Sequence, residues 1–281
     1  MMGRSLLTIG LLSVASIAQA DSFERIAVAG GDLTEIVYAL GAGDQVVAAD
    51  STSTYPPNVK DKAQIGYVRA LSAEGVLSIS PDLLIAADDA GPANVIENLK
   101  AAGVTVAIAP LGKGADRVPA KIRFVGETLG REKQAEALIS DYAVKMDALA
   151  QRVAALPDRP KVLFILSVRD GAPVVGGAGT SANDIISLAG GKNVASSFEG
   201  WKPMNAEAII AANPDVILMS GAHAEQLGDD DAVLSRPDIK LTRAGQKRAF
   251  VKMDGMLLLG FGPRTAEAVE TLMGHLHRDG S

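Results

Sequence analysis

The chain has 281 residues, 48% of them hydrophobic and 21% charged, and it contains no cysteine. This length supplies enough apolar residues for two domains of ordinary size. The formal net charge of −6 argues against a nucleic-acid partner and against binding to anionic lipid surfaces. The absence of cysteine excludes disulfides, thiolate metal sites and cysteine nucleophiles.

The first 20 residues form a predicted signal peptide. Arg4 supplies the positive charge, residues 6–17 form the apolar core, and residues 18–20 have the Ala-Gln-Ala pattern of a cleavage site. The apolar segment is too short to span a membrane comfortably. We therefore expect cleavage after Ala20, a mature chain beginning at Asp21, and a soluble protein of the bacterial periplasm.

The next segment, residues 21–130, is predicted to form an α/β lobe. Strands are expected at residues 25–29, 46–48 and 104–109, and helices at 33–40 and 92–102. Asp32 is expected to cap the first helix, with Glu35 at the capping-box position. Since strands alternate with helices, the lobe should contain a largely parallel sheet.

Residues 131–156 have a different hydrophobic pattern, because apolar residues recur at helical spacing without a strand signal. A helix over 131–155 would be about 37 Å long and would act as a stiff brace between lobes. Residues 157–281 are expected to form a second α/β lobe. Its predicted elements are strands at 161–167 and 249–252, a glycine-rich turn at 176–179, and helices at 181–189 and from 264 onward.

A repeat links the two predicted lobes. Residues 72–85 and 205–218 share a polar cap, Ala-Glu, a short amphipathic helix, Pro-Asp and an apolar run of strand length. The repeat predicts two Rossmann-like lobes with central, mostly parallel sheets, joined by one long helix. A cleft between lobes is a usual place for a small ligand. The repeat also places Glu74 and Glu207 at equivalent positions.

Tyr67 and Arg69 are the residues whose pattern points to binding chemistry. In an extended segment, residues two apart lie on the same face, and Gly66 allows a sharp turn just before them. A tyrosine oxygen binds ferric iron as phenolate, and a neighbouring cation favours that charged form. By itself, the spacing is more typical of a surface tyrosine beside a solvated arginine.

Residues 66–75 resemble a signature of the periplasmic haem-binding proteins of bacterial haem ABC importers. The signature is Gly-Tyr-hydrophobic-Arg followed by Ala-Glu-Gly, here Gly66 to Arg69 and Ala73 to Gly75. Residues 25–53 and 257–262 are similar to the same family, so the resemblance covers nearly the whole mature chain. It implies the helical-backbone architecture of cobalamin- and siderophore-type binding proteins, with no catalytic activity.

The resemblance also implies residue roles. Tyr67 corresponds to the axial ligand of ferric haem b, as a tyrosinate, and is thus the metal ligand through the haem iron. Arg69 corresponds to the arginine that supports the phenolate or a propionate. Glu74 and Glu207 correspond to the acidic residues that dock onto the inner-membrane ABC permease, which works with its ATPase. The implied protein is a monomer that is not embedded in the membrane.

The sequence departs from the family in the second lobe. Some members hold a second haem through a histidine after the first strand of that lobe, whereas residues 164–170 contain none. We therefore expect one haem per chain, with Arg169 and Lys202 as candidate propionate contacts.

Three alternatives remain open. The same architecture could bind cobalamin or a ferric siderophore, neither of which needs a protein tyrosinate. The turn at 177–182 loosely matches a dinucleotide fingerprint, with Glu199 at the acidic position, and would suit an exported nucleotide-dependent enzyme. Zinc or manganese capture would need converging histidines and carboxylates. However, His275 and His277 are expected at the end of the terminal helix, and His223 lies in a predicted polar loop.

Overall fold

The structure is a computed structural model that describes residues 23–112 and 114–277. The predicted signal peptide and its cleavage site after Ala20 lie outside the described residues. The N-terminal lobe follows the predicted alternation of strands and helices. Its elements are β1 (Ile26–Ala29), α1 (Gly31–Ala39), β2 (Val46–Ala49), β3 (Ala63–Gln64), β4 (Gly66–Tyr67), β5 (Ala70–Leu71), α2 (Ala73–Leu77), β6 (Leu83–Ala86), α3 (Ala93–Ala101) and β7 (Thr105–Ile108).

The central sheet of this lobe is parallel, as predicted. It has five strands in the order β3-β2-β1-β6-β7, and each neighbouring pair is parallel. All residues of β1 and β6 are buried, since helices cover both faces of the sheet. β4 and β5 are outside this sheet and form an antiparallel pair of their own.

Two helices connect the lobes, α4 (Arg117–Thr128) and α5 (Glu132–Ala154). The 23 residues of α5 give a length of about 35 Å at 1.5 Å per residue. The predicted long helix is therefore present. α4 packs along α5 and against α1, so the connection is a helix pair fixed to the N-terminal lobe.

The C-terminal lobe contains more elements than the sequence predicted. They are β8 (Lys161–Arg169), β9 (Ala172–Gly176), α6 (Ser181–Leu188), β10 (Lys192–Asn193), β11 (Trp201–Pro203), α7 (Ala206–Ala212), β12 (Val216–Ser220), α8 (Gly221–Leu227), α9 (Asp230–Leu234), α10 (Pro237–Lys240), α11 (Arg243–Lys247), β13 (Phe250–Met253), α12 (Gly255–Leu259) and α13 (Thr265–Leu276).

The sheet of the C-terminal lobe is mixed. Its main path is β11-β9-β8-β12-β13, and β10 pairs with β8. β9 runs antiparallel to β8, and β11 antiparallel to β9. The chain returns after β8 because Asp170 and Gly171 both have positive φ, at 51° and 81°, as a two-residue hairpin turn requires.

Both copies of the repeat make the same local contacts. Ser72 and Asn205 cap α2 and α7 by accepting a hydrogen bond from the backbone N–H three residues later. Asp82 then accepts hydrogen bonds from the N–H groups that lead into β1, and Asp215 does the same at the start of β8. The Pro-Asp element therefore ties each repeat strand to the central strand of its lobe.

The lobes share one hydrophobic core. A continuous cluster of buried side chains runs from Ile26 and Ile36 of the N-terminal lobe to Phe164, Ile185 and Leu272 of the C-terminal lobe. Two further clusters cover the outer face of each sheet. Consequently the inner helices pack the two lobes against each other. No helix within the described ranges combines the length and apolar character needed to cross a membrane.

The predicted cap of α1 is wrong. The N-cap is Gly30, with a φ of 141° and no side-chain capping bond. Asp32 pairs instead with Lys121 of α4, and Glu35 with Arg264 at the start of α13. These carboxylates are drawn into long-range ion pairs, which local pattern reasoning does not detect.

Candidate functional site

The β4–β5 hairpin lies across the carboxyl ends of β2, β3 and β6. Ser51 N–H, just after β2, donates to Gly66 O at 2.7 Å, and Leu71 N–H donates to Gly91 O at 2.8 Å. Gly91 N–H in turn donates to Val68 O at 2.9 Å. Gly66 has a φ of 93°, which favours glycine at this turn. The hairpin is thus fixed by backbone bonds at the end of the sheet where α/β proteins bind ligands.

Tyr67 and Arg69 are together on this hairpin. The extended segment expected over residues 67–69 is wrong, because Val68 and Arg69 form the turn between β4 and β5. Val68 is buried in this turn, whereas Tyr67 and Arg69 are exposed. An Arg69 guanidinium N–H donates to the Tyr67 hydroxyl, and the Arg69 Cζ lies 5.7 Å from the centroid of the tyrosine ring. Tyr67 remains 41% exposed. A phenol oxygen beside a cation is therefore accessible to a ligand.

Asp89 is a third member of this group that the sequence did not reveal. It lies in the loop after β6 and forms a salt bridge with Arg69. Partial burial lowers the pKa of Arg69, but the Asp89 carboxylate and Tyr67 raise it by more. Arg69 therefore stays charged beside the phenol. No spacing rule could have paired residues 69 and 89, because their contact depends on the packing of the hairpin.

Asp50 is fully buried beneath the β4–β5 hairpin and supports it through the turn at residues 50–53. Its carboxylate accepts hydrogen bonds from Gly30 N–H at 2.9 Å, Thr52 N–H at 3.0 Å and the Ser53 hydroxyl at 3.0 Å. These bonds fix the turn at residues 50–53, whose Ser51 N–H holds Gly66. Asp50 thereby orients the segment that carries Tyr67.

The C-terminal lobe presents a different surface. Trp201 of β11 is 39% exposed and packs edge-on against Phe164, with centroids 5.8 Å apart. Lys202 Nζ lies 5.6 Å from the Phe198 ring centroid. Arg169 is exposed at the end of β8. The structure thus joins Tyr67 with Arg69 and places Arg169 and Lys202 on the other lobe.

Partly buried ion pairs connect the two lobes. Arg264 grips Glu35 with both Nε and Nη2, the Nε–Oε2 distance being 3.0 Å, and Arg117 pairs with Asp184. Burial raises the pKa of Glu35, and the Arg264 guanidinium opposes this rise. A Cβ on Gly31 would lie 2.4 Å from Thr52 O and 2.6 Å from Met256 Cε. The lobes are therefore in close contact next to the site.

Glu74 and Glu207 occupy equivalent places. Each lies in the first turn of its repeat helix, α2 or α7, and each is exposed. A glutamate in the first turn of a helix is also stabilised by the positive end of the helix dipole. Their geometry is compatible with the predicted docking role, and nothing in the described contacts uses them otherwise.

The backbone N–H groups of the glycine-rich turn in the C-terminal lobe are bonded to residues of the same lobe. Gly177 N–H donates to Gly200 O, and Ala178 N–H donates to Phe198 O. A Cβ on Gly177 would lie 2.2 Å from Phe198 O. A dinucleotide needs free backbone N–H groups and open space at this place, so the turn does not support a nucleotide site.

The histidines do not form a metal site. His223 lies in α8, not in a loop as predicted, and its Nδ1 is 2.7 Å from the Ser220 hydroxyl. His275 and His277 are at the end of α13, as predicted. In residues 23–112 and 114–277 no three His, Cys, Asp or Glu side chains cluster closely enough to hold a metal ion.

Comparison with known proteins agrees with this architecture. The profile of the periplasmic binding protein family matches residues 26–257. The structure is similar to the periplasmic heme-binding protein BhuT in complex with two hemes, with a TM-score of 0.86 and 39% identity over 91% of this chain and 98% of that one. This similarity confirms the resemblance noted in the sequence.

Two curated relatives are similar over most of the chain. YvrC of Bacillus subtilis (strain 168), an ABC transporter substrate-binding lipoprotein, is 31% identical over 88% of this chain and 77% of its own length. A vitamin B12-binding protein of Yersinia pestis (strain Pestoides F) is 25% identical over 73% of this chain and 72% of its own. Both relatives are named as binding proteins. The two-lobed chain described here belongs to the periplasmic binding protein family.

Proposed function

We propose that this protein captures ferric haem in the cleft between its lobes and delivers it to an inner-membrane ABC permease. The protein performs no reaction in this role. It binds the ligand through the Tyr67 oxygen, shields it during passage through the periplasm, and releases it when the permease engages both lobes.

The observation that carries the proposal is the exposed Tyr67 phenol with Arg69 bonded to its oxygen. Ferric iron is a hard cation, and a phenolate is an oxygen donor that suits it. Arg69 would place a cation beside the negative charge of an iron-bound phenolate.

The similarity to BhuT supports haem b as the ligand and raises the question of stoichiometry, because that protein was solved with two hemes. Residues 164–170 at the end of β8 include no histidine. We therefore propose one haem per chain. Arg169 and Lys202 are exposed cations on the opposite lobe and would pair with its propionates.

Delivery requires a partner that contacts both lobes. Glu74 and Glu207 are exposed, equivalent and one per lobe, which fits docking onto two basic sites of a two-fold permease that is driven by its ATPase. Similarity to an ABC transporter substrate-binding lipoprotein supports this partner. Docking would have to weaken the Tyr67–iron contact, since a partner shifts an equilibrium only by differential binding.

The second candidate ligand is cobalamin, which is favoured by the vitamin B12-binding relatives. Cobalamin carries its own metal ligands and does not need a protein tyrosinate. Replacing the Tyr67 hydroxyl should therefore leave cobalamin binding nearly unchanged and strongly weaken haem binding.

The deciding experiment is a visible-absorption titration of residues 21–281 with ferric haem and, separately, with cyanocobalamin, alongside Tyr67→Phe. We expect saturation at one haem per chain, with a tyrosinate spectrum that the variant loses. Saturation by cyanocobalamin alone would replace the haem proposal. Saturation at two haems would overturn the proposed stoichiometry but leave the ligand assignment in place.

A further inference from the structure

We propose that Asp89 is a positioning residue that clamps Arg69 onto the Tyr67 oxygen and thereby slows the loss of the bound ligand. This inference rests on the proposed function, because its ligand readout uses the Tyr67–iron contact. Asp89 does not touch the ligand in this proposal and acts only through Arg69.

The clamp uses the two ends of one guanidinium. Arg69 Nη1 donates to the Tyr67 hydroxyl, while Nη2 pairs with Asp89 Oδ2. An arginine side chain has many rotamers, and ordering it costs entropy. A carboxylate on the second nitrogen keeps the planar fork in the orientation in which the first nitrogen reaches the phenol.

The pair is poorly placed to act as a stabilising salt bridge. The Arg69 side chain is 58% exposed and that of Asp89 is 40% exposed, and ion pairs this open to water add little to folding stability. Orientation of Arg69 is therefore the effect that the contact can produce.

Asp89 is attached to the centre of the sheet. Its loop begins at Ala87, whose N–H donates to Ala29 O of the β1 end at 2.8 Å. At the other end of the loop, Gly91 exchanges backbone bonds with Val68 and Leu71 of the hairpin region. The carboxylate thus reaches Arg69 from a fixed element and not from a second mobile loop.

The repeat shows that the fold itself does not need this carboxylate. At the same separation that relates Ser72 to Asn205, Arg69 corresponds to Lys202 and Asp89 to Ala222. The C-terminal lobe builds the repeat helix and strand without an acid there, since Ala222 lies in the first turn of α8 and Lys202 lies over Phe198. The carboxylate is therefore present in the lobe that carries Tyr67 and is not required by the repeat fold.

The first test measures haem dissociation and the tyrosinate charge-transfer band in Asp89→Ala, Asp89→Asn and Arg69→Ala. We expect Asp89→Ala to release haem about tenfold faster, as for loss of a hydrogen bond to a charged group, and to shift the band toward that of Arg69→Ala. Asp89→Asn, which keeps an oxygen for Arg69, should restore most of both. Asp88→Ala removes the same charge from the neighbouring residue and should change neither.

The double variant Asp89→Ala with Arg69→Ala decides whether Asp89 acts through Arg69. We expect it to match Arg69→Ala alone, because residues that act as a unit are not additive. An Asp89→Ala effect that persists undiminished without Arg69 would overturn the proposal, as would a wild-type rate and band in Asp89→Ala.

A second test needs no ligand. In the haem-free protein, the guanidinium NMR signals of Arg69, assigned with Arg69→Lys, should show hindered rotation that Asp89→Ala relieves. Equal averaging in both proteins would overturn the clamp. If wild-type protein bound no haem, the proposed function and the ligand role of Asp89 would both fail, while this measurement would still decide whether Asp89 restrains Arg69.

Discussion

The two lobes carry the same helix–strand repeat but differ in the segment that precedes it. In the N-terminal lobe this segment is the β4–β5 hairpin, which is paired only with itself and exposes Tyr67. In the C-terminal lobe it is β11, which joins the edge of the central sheet by pairing with β9 and exposes Trp201. One lobe therefore exposes a phenol oxygen, and the other an aromatic surface.

Features present in both lobes support the fold, whereas features present in one lobe are candidates for ligand binding. Capping side chains and the Pro-Asp anchor are shared, with Ser80 and Asn213 both in the left-handed region just before the proline. A cation over an aromatic ring is also shared, as Arg69 on Tyr67 and Lys202 on Phe198. The Tyr67 phenol oxygen, the Asp89 carboxylate and a hairpin separate from the central sheet occur in the N-terminal lobe and have no counterpart at the equivalent positions of the C-terminal lobe. These unshared features are the ones we assign to binding.

The largest expected effect is a loss of haem affinity on replacing Tyr67, the exposed aromatic residue of the N-terminal lobe, compared with Trp201 in the C-terminal lobe. Tyr67→Ala should abolish the tyrosinate spectrum and raise the Kd for ferric haem by at least about 100-fold, since even outer-shell partners of a metal cost 10–100-fold. Trp201→Ala should cost about tenfold or less, as for an apolar aromatic contact. Tyr55→Phe, at another exposed tyrosine, is the control and should bind normally. Equal losses in Tyr67→Ala and Trp201→Ala would refute the division of roles.

The shared position of Glu74 and Glu207 predicts equal roles in delivery. Each single alanine variant should reduce haem import by about tenfold and the double variant should block it, because each removes a charge from one docking surface. Haem affinity should be unchanged in all three. Import into proteoliposomes that contain the permease is the measurement, with the exposed Glu97→Ala as control. Normal import by the double variant would exclude this docking surface.

The shared Pro-Asp anchors predict matched losses of stability. Asp82→Ala leaves the N–H groups of Glu24 and Arg25 unpaired, and Asp215→Ala leaves that of Lys161 unpaired. Each should lower the free energy of unfolding by about 1 kcal/mol, the net contribution of a hydrogen bond whose exposed N–H can bond to water instead. Urea denaturation measures both. A loss in only one variant would show that the repeat does not play the same structural role in both lobes.

The smallest effect concerns the ion pair that joins the lobes. Burial raises the pKa of Glu35 above 4.5, although Arg264 opposes the rise, so the folded state holds this proton more tightly than the unfolded state. The resulting stability is present below pH 4.5 and is lost as the pH rises through the raised pKa. The difference in unfolding free energy between wild type and Glu35→Gln should therefore fall with rising pH, by at most about 1.4 kcal/mol per pH unit. A difference that rises over this range would contradict the assignment.

Much of the architecture could be predicted from the sequence because it depends on local patterns. The helical spacing at 131–155 predicted α5 to within one residue at each end, and the repeat predicted α2, α7 and the strands that follow them. The antiparallel strand β9 of the C-terminal lobe was not predicted, although the preceding Asp170-Gly171 is a dipeptide that favours a two-residue hairpin. Likewise, Asp32 and Glu35 matched a capping pattern but pair with Lys121 and Arg264 instead.

The sequence by itself determined the two lobes and the long connecting helix, because residues close in the chain and their periodicity encode these features. It placed Tyr67 near Arg69 only through their closeness in the chain, since their contact is made at the β4–β5 turn and not along an extended strand. Only the tertiary structure decided that the lobes share one core, that Glu35 reaches Arg264 and that Asp89 pairs with Arg69. Those contacts join residues up to 229 positions apart. Their geometry follows from how helices and strands pack, which no local pattern of residues specifies.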